Sequence, residues 1–355
     1  MRWLEVDAQA RAGGPEVAGD EHGALVRDDH LRHDLGSVLG TLPASPSTLR
    51  RPVDPGVVDH FARLRAVLVD ADNLLGPQRL LSTVQQQLAI MDDLRRNAGG
   101  TLRRALLATQ SRWAEFAGWL SDDTGDVITG TIWTDHAMEM AQAADDPTWV
   151  AYILARKAQR ATRSGAGDRV VDLGQAAQRT PQLPPLVRAF AYLQQAQGHA
   201  LTGEARDCDE AVGAADELIA AHTGTAEVGG FCTMSYLRQQ QADCWLAQHR
   251  PDRAVAAFEA ALDQWPANMQ RDRGLCLARL AGAHLAGERP DPDQAGTVAT
   301  QAYQLGVATG SARVLADLDR VAAALTPWRS REPVKQFLEL MSPRSAAGTP
   351  VEFHP

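Results

Sequence analysis

The run SYLRQQQADCWLAQHRPDRAVAAFEAALDQWPAN, residues 235 to 268, decides how the rest of the chain is read. Small residues stand at Ala242, Ala254 and Ala261, rings at Trp245 and Phe258, and a proline at Pro266. Ala254, Phe258 and Ala261 follow a four-then-three spacing, which lines them up on one face of a helix. Small side chains let paired helices approach closely, and the rings fill the groove between neighbouring pairs. Pro266 lacks a backbone donor and ends the second helix. The stretch predicts a helical hairpin.

Two other stretches line up with it. One is Ala196-Gln197-Gly198-His199-Ala200-Leu201, and the other is Ala281-Gly282-Ala283-His284-Leu285-Ala286; Ala242-Asp243-Cys244-Trp245 occupies the same slot between them. A recurrence of this kind signals a stacked repeat architecture. Set in a 34-residue frame beginning at Ser235, the unit resembles a tetratricopeptide repeat. Ala242, Trp245, Ala254, Phe258, Ala261 and Pro266 fall on that family's small, aromatic and proline positions, whereas Arg238 and Gln241 replace its usual Trp and Leu.

Further hairpins are expected over Ala117 to His136, turning at Gly125-Asp126, and over Ala158 to Ala177, turning at Gly165-Ala166-Gly167-Asp168. Another starts at Ala196, with Ala211 and Ala215 on its second helix. The last pairs Ala281 with Ala295, Ala299 and Ala302, after a turn containing Pro290 and Pro292. Val314 to Leu325 and Pro333 to Leu340 read as closing helices. Upstream, Val57, Phe61, Leu64 and Leu68 form one apolar stripe, which Gly76-Pro77 interrupts. The expected fold class is all-α, a right-handed α-solenoid of tetratricopeptide-like hairpins. Its parts are a largely disordered N-terminal arm over 1–55, lead-in helices over 56–100, repeats over 101–341 and a disordered tail over 342–355. Within the arm, 28–42 reads as a marginal helix between Pro/Gly-broken stretches.

Leu102-Arg103-Arg104-Ala105-Leu106-Leu107, Phe116-Ala117-Gly118-Trp119-Leu120, Gly125-Asp126 and Ala144-Asp145-Asp146-Pro147 carry a broader likeness. With them the chain resembles the C-terminal region of actinobacterial transcriptional regulators of the XRE type, which join a helix-turn-helix to tetratricopeptide-like repeats. The resemblance implies a sensing or partner-binding role for the repeats. A DNA-reading module spans about 55 to 65 residues in such proteins, and its Gln-headed helix and Gly-Val-Ser turn are not found before Val57. The expectation is therefore a stand-alone relative, or a regulator whose helix-turn-helix is missing from this chain.

Composition excludes some classes of function and names none. The 355 residues carry a formal charge of −9, which disfavours a grip on phosphate backbones, so direct nucleic-acid binding is not expected. No apolar run reaches the roughly 20 residues of a membrane span, and no secretory signal opens the chain, so a cytoplasmic location is expected. Cys208, Cys232, Cys244 and Cys276 are too widely spaced for a metal clamp or a disulfide framework, and read as buried thiols. His30 and His33 alone close no metal site. No nucleophile elbow, phosphate loop or zinc-protease motif occurs, so neither an enzyme nor a cofactor is expected. The arginine pairs, such as Arg103-Arg104, read as solvated helix faces.

Register supplies the candidate site. The second, fifth and ninth positions of each first helix face the concave side of such solenoids. This puts Tyr152, Phe190 and Tyr236 at the second position, Gln239 at the fifth, and Gln159, Gln197 and Asp243 at the ninth. Rings and amides along one wall suit a protein or peptide partner, or a small ligand. The expected function is a non-enzymatic regulatory or sensor protein that binds such a ligand in its groove.

Overall fold

A computed structural model describes residues 53–224 and 228–347. The 28–42 segment and the His30/His33 pair lie outside the described residues. Those described form fourteen α-helices and no strand. In order they are α1 (Val57–Leu75), α2 (Pro77–Asn97), α3 (Gly100–Asp123), α4 (Val127–Ala143), α5 (Pro147–Arg163), α6 (Gly167–Gln178) and α7 (Pro185–Thr202). Then follow α8 (Ala205–Ala220), α9 (Met234–Ala247), α10 (Pro251–Asp263), α11 (Gln270–Ala283), α12 (Pro292–Thr309), α13 (Ala312–Leu325) and α14 (Glu332–Ala347). None of these helices is long and apolar enough to cross a membrane.

Local chemistry sets the boundaries. Asp126, Asp146 and Asp291 cap α4, α5 and α12, their carboxylates accepting the amides of Thr129, Trp149 and Gln294 at 3.0, 3.0 and 3.1 Å. Proline opens α2, α5, α7, α10 and α12, where its missing N–H costs nothing. The break between α1 and α2 falls at Gly76, whose φ of 79° and ψ of 163° suit glycine alone. Two boundaries differ from the sequence reading. Gly167 and Asp168 belong to the first turn of α6, with Ala166 as its N-cap, so the turn is shorter than the glycines suggest. At the other end α14 continues through Ala347, past the boundary drawn after 341.

Each hairpin packs on itself: α3 on α4, α5 on α6, α7 on α8, α9 on α10 and α11 on α12. The odd-numbered helices then pack in succession, α5 on α7, α7 on α9, α9 on α11 and α11 on α13, as one row, here called the inner row. Apolar residues fill the space between the rows. Trp113 is fully buried on α3, sits edge-on to Phe61 with ring centroids 6.2 Å apart, and donates its indole N–H to the Phe61 carbonyl at 3.2 Å. On the second helices Ala254, Phe258 and Ala261 are fully buried, as are Ala295, Ala299 and Ala302. Val321, Leu325, Val334 and Phe337 cover the last apolar face. All four cysteines are buried, and none is in a disulfide.

The inner row also meets itself end to end. Helix α1 touches α11 and α12, and α3 touches α13. The first helices are thus in direct contact with the last ones through α1, α3 and α11 to α13.

Candidate functional site

The inner wall is built from side chains of the odd-numbered helices, and at its centre is Trp119 of α3. Two guanidiniums lie over its indole, Arg156 of α5 at 4.2 Å and Arg313 of α13 at 4.1 Å, with Arg271 of α11 at 5.0 Å. Such contacts are favourable because the ring face is electron-rich, more so away from water. Three buried carboxylates of α3 distribute the arginines. Glu115 pairs with Arg156 at 2.8 Å and Arg65 at 3.7 Å. Asp122 pairs with Arg160 at 2.7 Å and Arg163 at 3.4 Å. Asp123 pairs with Arg313 at 2.7 Å and Arg271 at 3.6 Å.

The closure runs through this network. Asp72, near the end of α1, accepts from Arg271, and Trp119 donates to the same carboxylate at 3.3 Å. Asp123 also accepts the Ser311 hydroxyl at 2.7 Å, just before α13. Burial alone would lift the Asp123 carboxyl, but Arg313 and Arg271, with hydrogen bonds from Arg313 and Ser311, hold it below the ordinary carboxylate value. At Asp72 and Asp122 burial prevails over the facing arginines, and both are raised. Gly130 of α4 makes room for one of these pairs: a Cβ there would lie 2.3 Å from Asp122 Oδ1 and 2.5 Å from Arg160 Nη2. Beside the Asp122 pairs a small cavity of about 10 Å³, large enough for about one water, lies among Thr134, Gln159 and the α5 arginines.

The seven residues named from register lie on α5 (Tyr152, Gln159), α7 (Phe190, Gln197) and α9 (Tyr236, Gln239, Asp243). Tyr152, Phe190 and Tyr236 form a ladder of rings with Phe231, with centroids 5.8 Å apart for Tyr152–Phe190, 5.1 Å for Phe190–Phe231 and 5.3 Å for Phe231–Tyr236. Gln159 accepts from Arg156 at 2.8 Å and donates to the Tyr236 hydroxyl at 3.1 Å. Asp243 accepts from Arg279, which also lies 3.6 Å from Asp317. Gln197 donates to the Gln240 carbonyl at 3.0 Å. Four of the seven are not available to a ligand in this conformation. Phe190 is fully buried, and Tyr152, Gln197 and Gln239 are nearly so. Gln159, Tyr236 and Asp243 keep partial exposure. The difference from an open groove has a local cause: Phe231, just before α9, packs against Tyr152, Phe190 and Tyr236, and Gln197 is taken up by the Gln240 carbonyl.

The arginines were missed by the sequence reading. Their signal was present: Arg156, Arg160 and Arg163 recur at helical spacing opposite Ala151, Ala155, Ala158 and Ala161. A charged stripe of this sort looks like a solvated face until its partners, which are distant in sequence, are known.

One group among the described residues brings three metal-capable side chains together: His199, Glu204 and Asp207, their ligand atoms within 4.8 Å of one another. It borders a more open groove of about 410 Å³ between α6, α7 and α8. Hydrogen bonding already accounts for the imidazole. Gln178 donates to Gln195 at 2.6 Å, which leaves the Gln195 amide N–H facing His199 Nε2 at 3.1 Å. Nδ1–H then donates to Glu204 at 2.5 Å. The group ties the α7–α8 turn together. The chain matches no model of a known protein family and no curated protein sequence.

Proposed function

We propose that this chain is a right-handed, tetratricopeptide-like solenoid acting as a non-enzymatic regulatory or sensor module, with its inner wall as the binding surface for a protein, peptide or small ligand. The observation that carries this reading is the closure of the inner row through buried ion pairs, Asp72 with Arg271 and Asp123 with Arg313. Buried pairs lose much of their Coulomb attraction to desolvation, so they specify an arrangement more than they stabilise it. A ligand offering those arginines another acceptor shifts the balance between closed and open wall, and the shift is passed along the stacked helices. A module that reports occupancy by changing curvature suits the role implied by the likeness to helix-turn-helix regulators.

The test compares the closed protein with one biased towards opening. Wild type and Asp123→Asn are measured by small-angle X-ray scattering, then used as baits, with bound peptides and metabolites identified by mass spectrometry. The reading expects a larger radius of gyration and an altered yield of bound molecules for the variant. Equal dimensions together with equal yields would reject it.

A further inference from the structure

The four cysteines are not equivalent. Cys232, just before α9, belongs to the apolar cluster of the ring ladder, and Cys276 of α11 directs its thiol to the Phe258 carbonyl at 3.9 Å. Cys208 and Cys244 instead share one small cluster with Ala196, Ala200, Ala211 and Val212. Cys208 stands in the first turn of α8 and Cys244 in the last turn of α9, and these two helices of successive hairpins pack on each other. Small neighbours leave the sulfurs side by side, and the two thiols are hydrogen-bonded to each other. A disulfide needs its Cβ atoms about 3.5–4.5 Å apart, and thiols already in contact come closest to meeting that demand.

The hydrogen bond has a direction. Cys244 donates and Cys208 accepts, which holds the Cys208 thiol below the ordinary value and raises Cys244 well above it. The thiolate is the form that attacks a peroxide, so Cys208 is the member that reacts first. The Gln248 amide adjoins the same sulfur, and its buried nitrogen and oxygen have no nitrogen or oxygen partner. A hydroxyl formed on the Cys208 sulfur therefore meets unused hydrogen-bonding capacity. The way in is short. Asp207 and Asp209, on either side of Cys208, are exposed, and Gln248 is half-buried, so a shift of one side chain admits a molecule little larger than water.

We propose that Cys208 and Cys244 are a reversible disulfide site, oxidised by hydrogen peroxide, that cross-links α8 to α9. The Cys208 thiolate sulfur attacks one peroxide oxygen; an S–O bond forms, the O–O bond breaks, and the departing hydroxide takes the proton that Cys208 gave up and leaves as water. The Cys244 sulfur then attacks the sulfenic sulfur. The S–S bond forms, the S–O bond breaks, and the hydroxide leaves as water with the Cys244 proton. Two thiols lose two electrons, and one peroxide becomes two waters. A dithiol reductant restores both thiols by exchange. The bond fixes the α7–α8 hairpin against the α9–α10 hairpin, and the inference does not depend on the binding role proposed above.

In the test, full-length protein is treated with hydrogen peroxide under native conditions, quenched with catalase, alkylated in guanidinium, and measured by intact mass and peptide mapping. The expected product has two of its four cysteines closed to alkylation, with the Cys208 and Cys244 peptides joined, and dithiothreitol restores all four. Cys232 and Cys276, which lie in other clusters, stay open to alkylation and serve as internal controls. In Cys244→Ala the sulfenic acid on Cys208 finds no second thiol and is trapped by dimedone. Oxidised wild type should also melt at a higher temperature than reduced, because the cross-link restricts the unfolded chain. Four alkylated cysteines after peroxide, a different pair of joined peptides, or sulfinic acid on Cys208 without a cross-link overturns the proposal. A lower melting temperature after oxidation also overturns it, since the bond would then belong to an opened state, and absence of the dimedone adduct removes Cys208 as the attacking thiol.

Discussion

Gly76 lies so close to Thr309 that a Cβ added to it would stand 2.2 Å from the Thr309 carbonyl oxygen. This contact joins the α1–α2 break to the end of α12 and so belongs to the closure. Gly76→Ala meets both the clash and a backbone conformation that alanine rarely adopts. The expected cost is about 1–3 kcal/mol or more. Urea unfolding checks it, and scattering should show a looser particle even where the variant folds. A variant as stable and compact as wild type would mean that the closure is not tight at this point.

Asp123 tests the ionic part of the closure. It is fully buried, and asparagine would leave Arg313 and Arg271 without its charge. Removing one member of a buried pair costs about 3–5 kcal/mol, because the other charge stays desolvated. Asp123→Asn should therefore fall well below Arg206→Gln, which breaks an exposed α8 pair with Glu210, in a denaturant titration. Loss comparable to that of the exposed control would show that water reaches the network.

Asp243 gives a pH dependence. Burial pushes its carboxyl up to about 6 against the pull of Arg279, with Asp317 pushing the same way. A folded-state value above the unfolded one, about 3.9, means that folding favours the protonated form. This contribution is complete below the unfolded value and is lost as pH rises through about 6. From pH 7 to pH 5, wild type should gain about 1 kcal/mol relative to Asp243→Asn. Stability curves of the two proteins against pH would check this, and parallel curves would contradict it.

The thiols should be closed to bulky reagents in the folded protein. Burial pushes the Cys232 and Cys276 thiols well up, and Cys244 is raised by its hydrogen bond with Cys208; that bond lowers Cys208, so for Cys208 it is burial, which all four share, that keeps reagent away. Ellman's reagent should label none of them at neutral pH and all four after unfolding in guanidinium. Rapid labelling of native protein would show that α8 and α9 open readily.

Much of the fold can be read from residue order. Ala254, Phe258 and Ala261 announce a buried helix face through spacing alone, and Gly76-Pro77 announces a break because only glycine and proline suit those backbone positions. The ring ladder was partly legible too, since register placed Tyr152, Phe190 and Tyr236 at equivalent points and the stacked helices make them neighbours. Its burial was not legible. Exposure depends on which distant side chains cover a ring, here Phe231 against Tyr152, Phe190 and Tyr236, and that is not a property of local spacing.

Periodicity and turn chemistry are local, so the chain alone settles that it is helical, where its hairpins turn and which helix faces are apolar. The meaning of its arginines is not local. Asp123 and Arg313 are 190 positions apart, and Asp72 and Arg271 are 199 apart. A guanidinium on a helix face reads the same whether water or a distant carboxylate will meet it. Only the contact between the first and last helices, which sets Asp72 and Asp123 against Arg271 and Arg313, turns charges of ordinary appearance into a largely buried network.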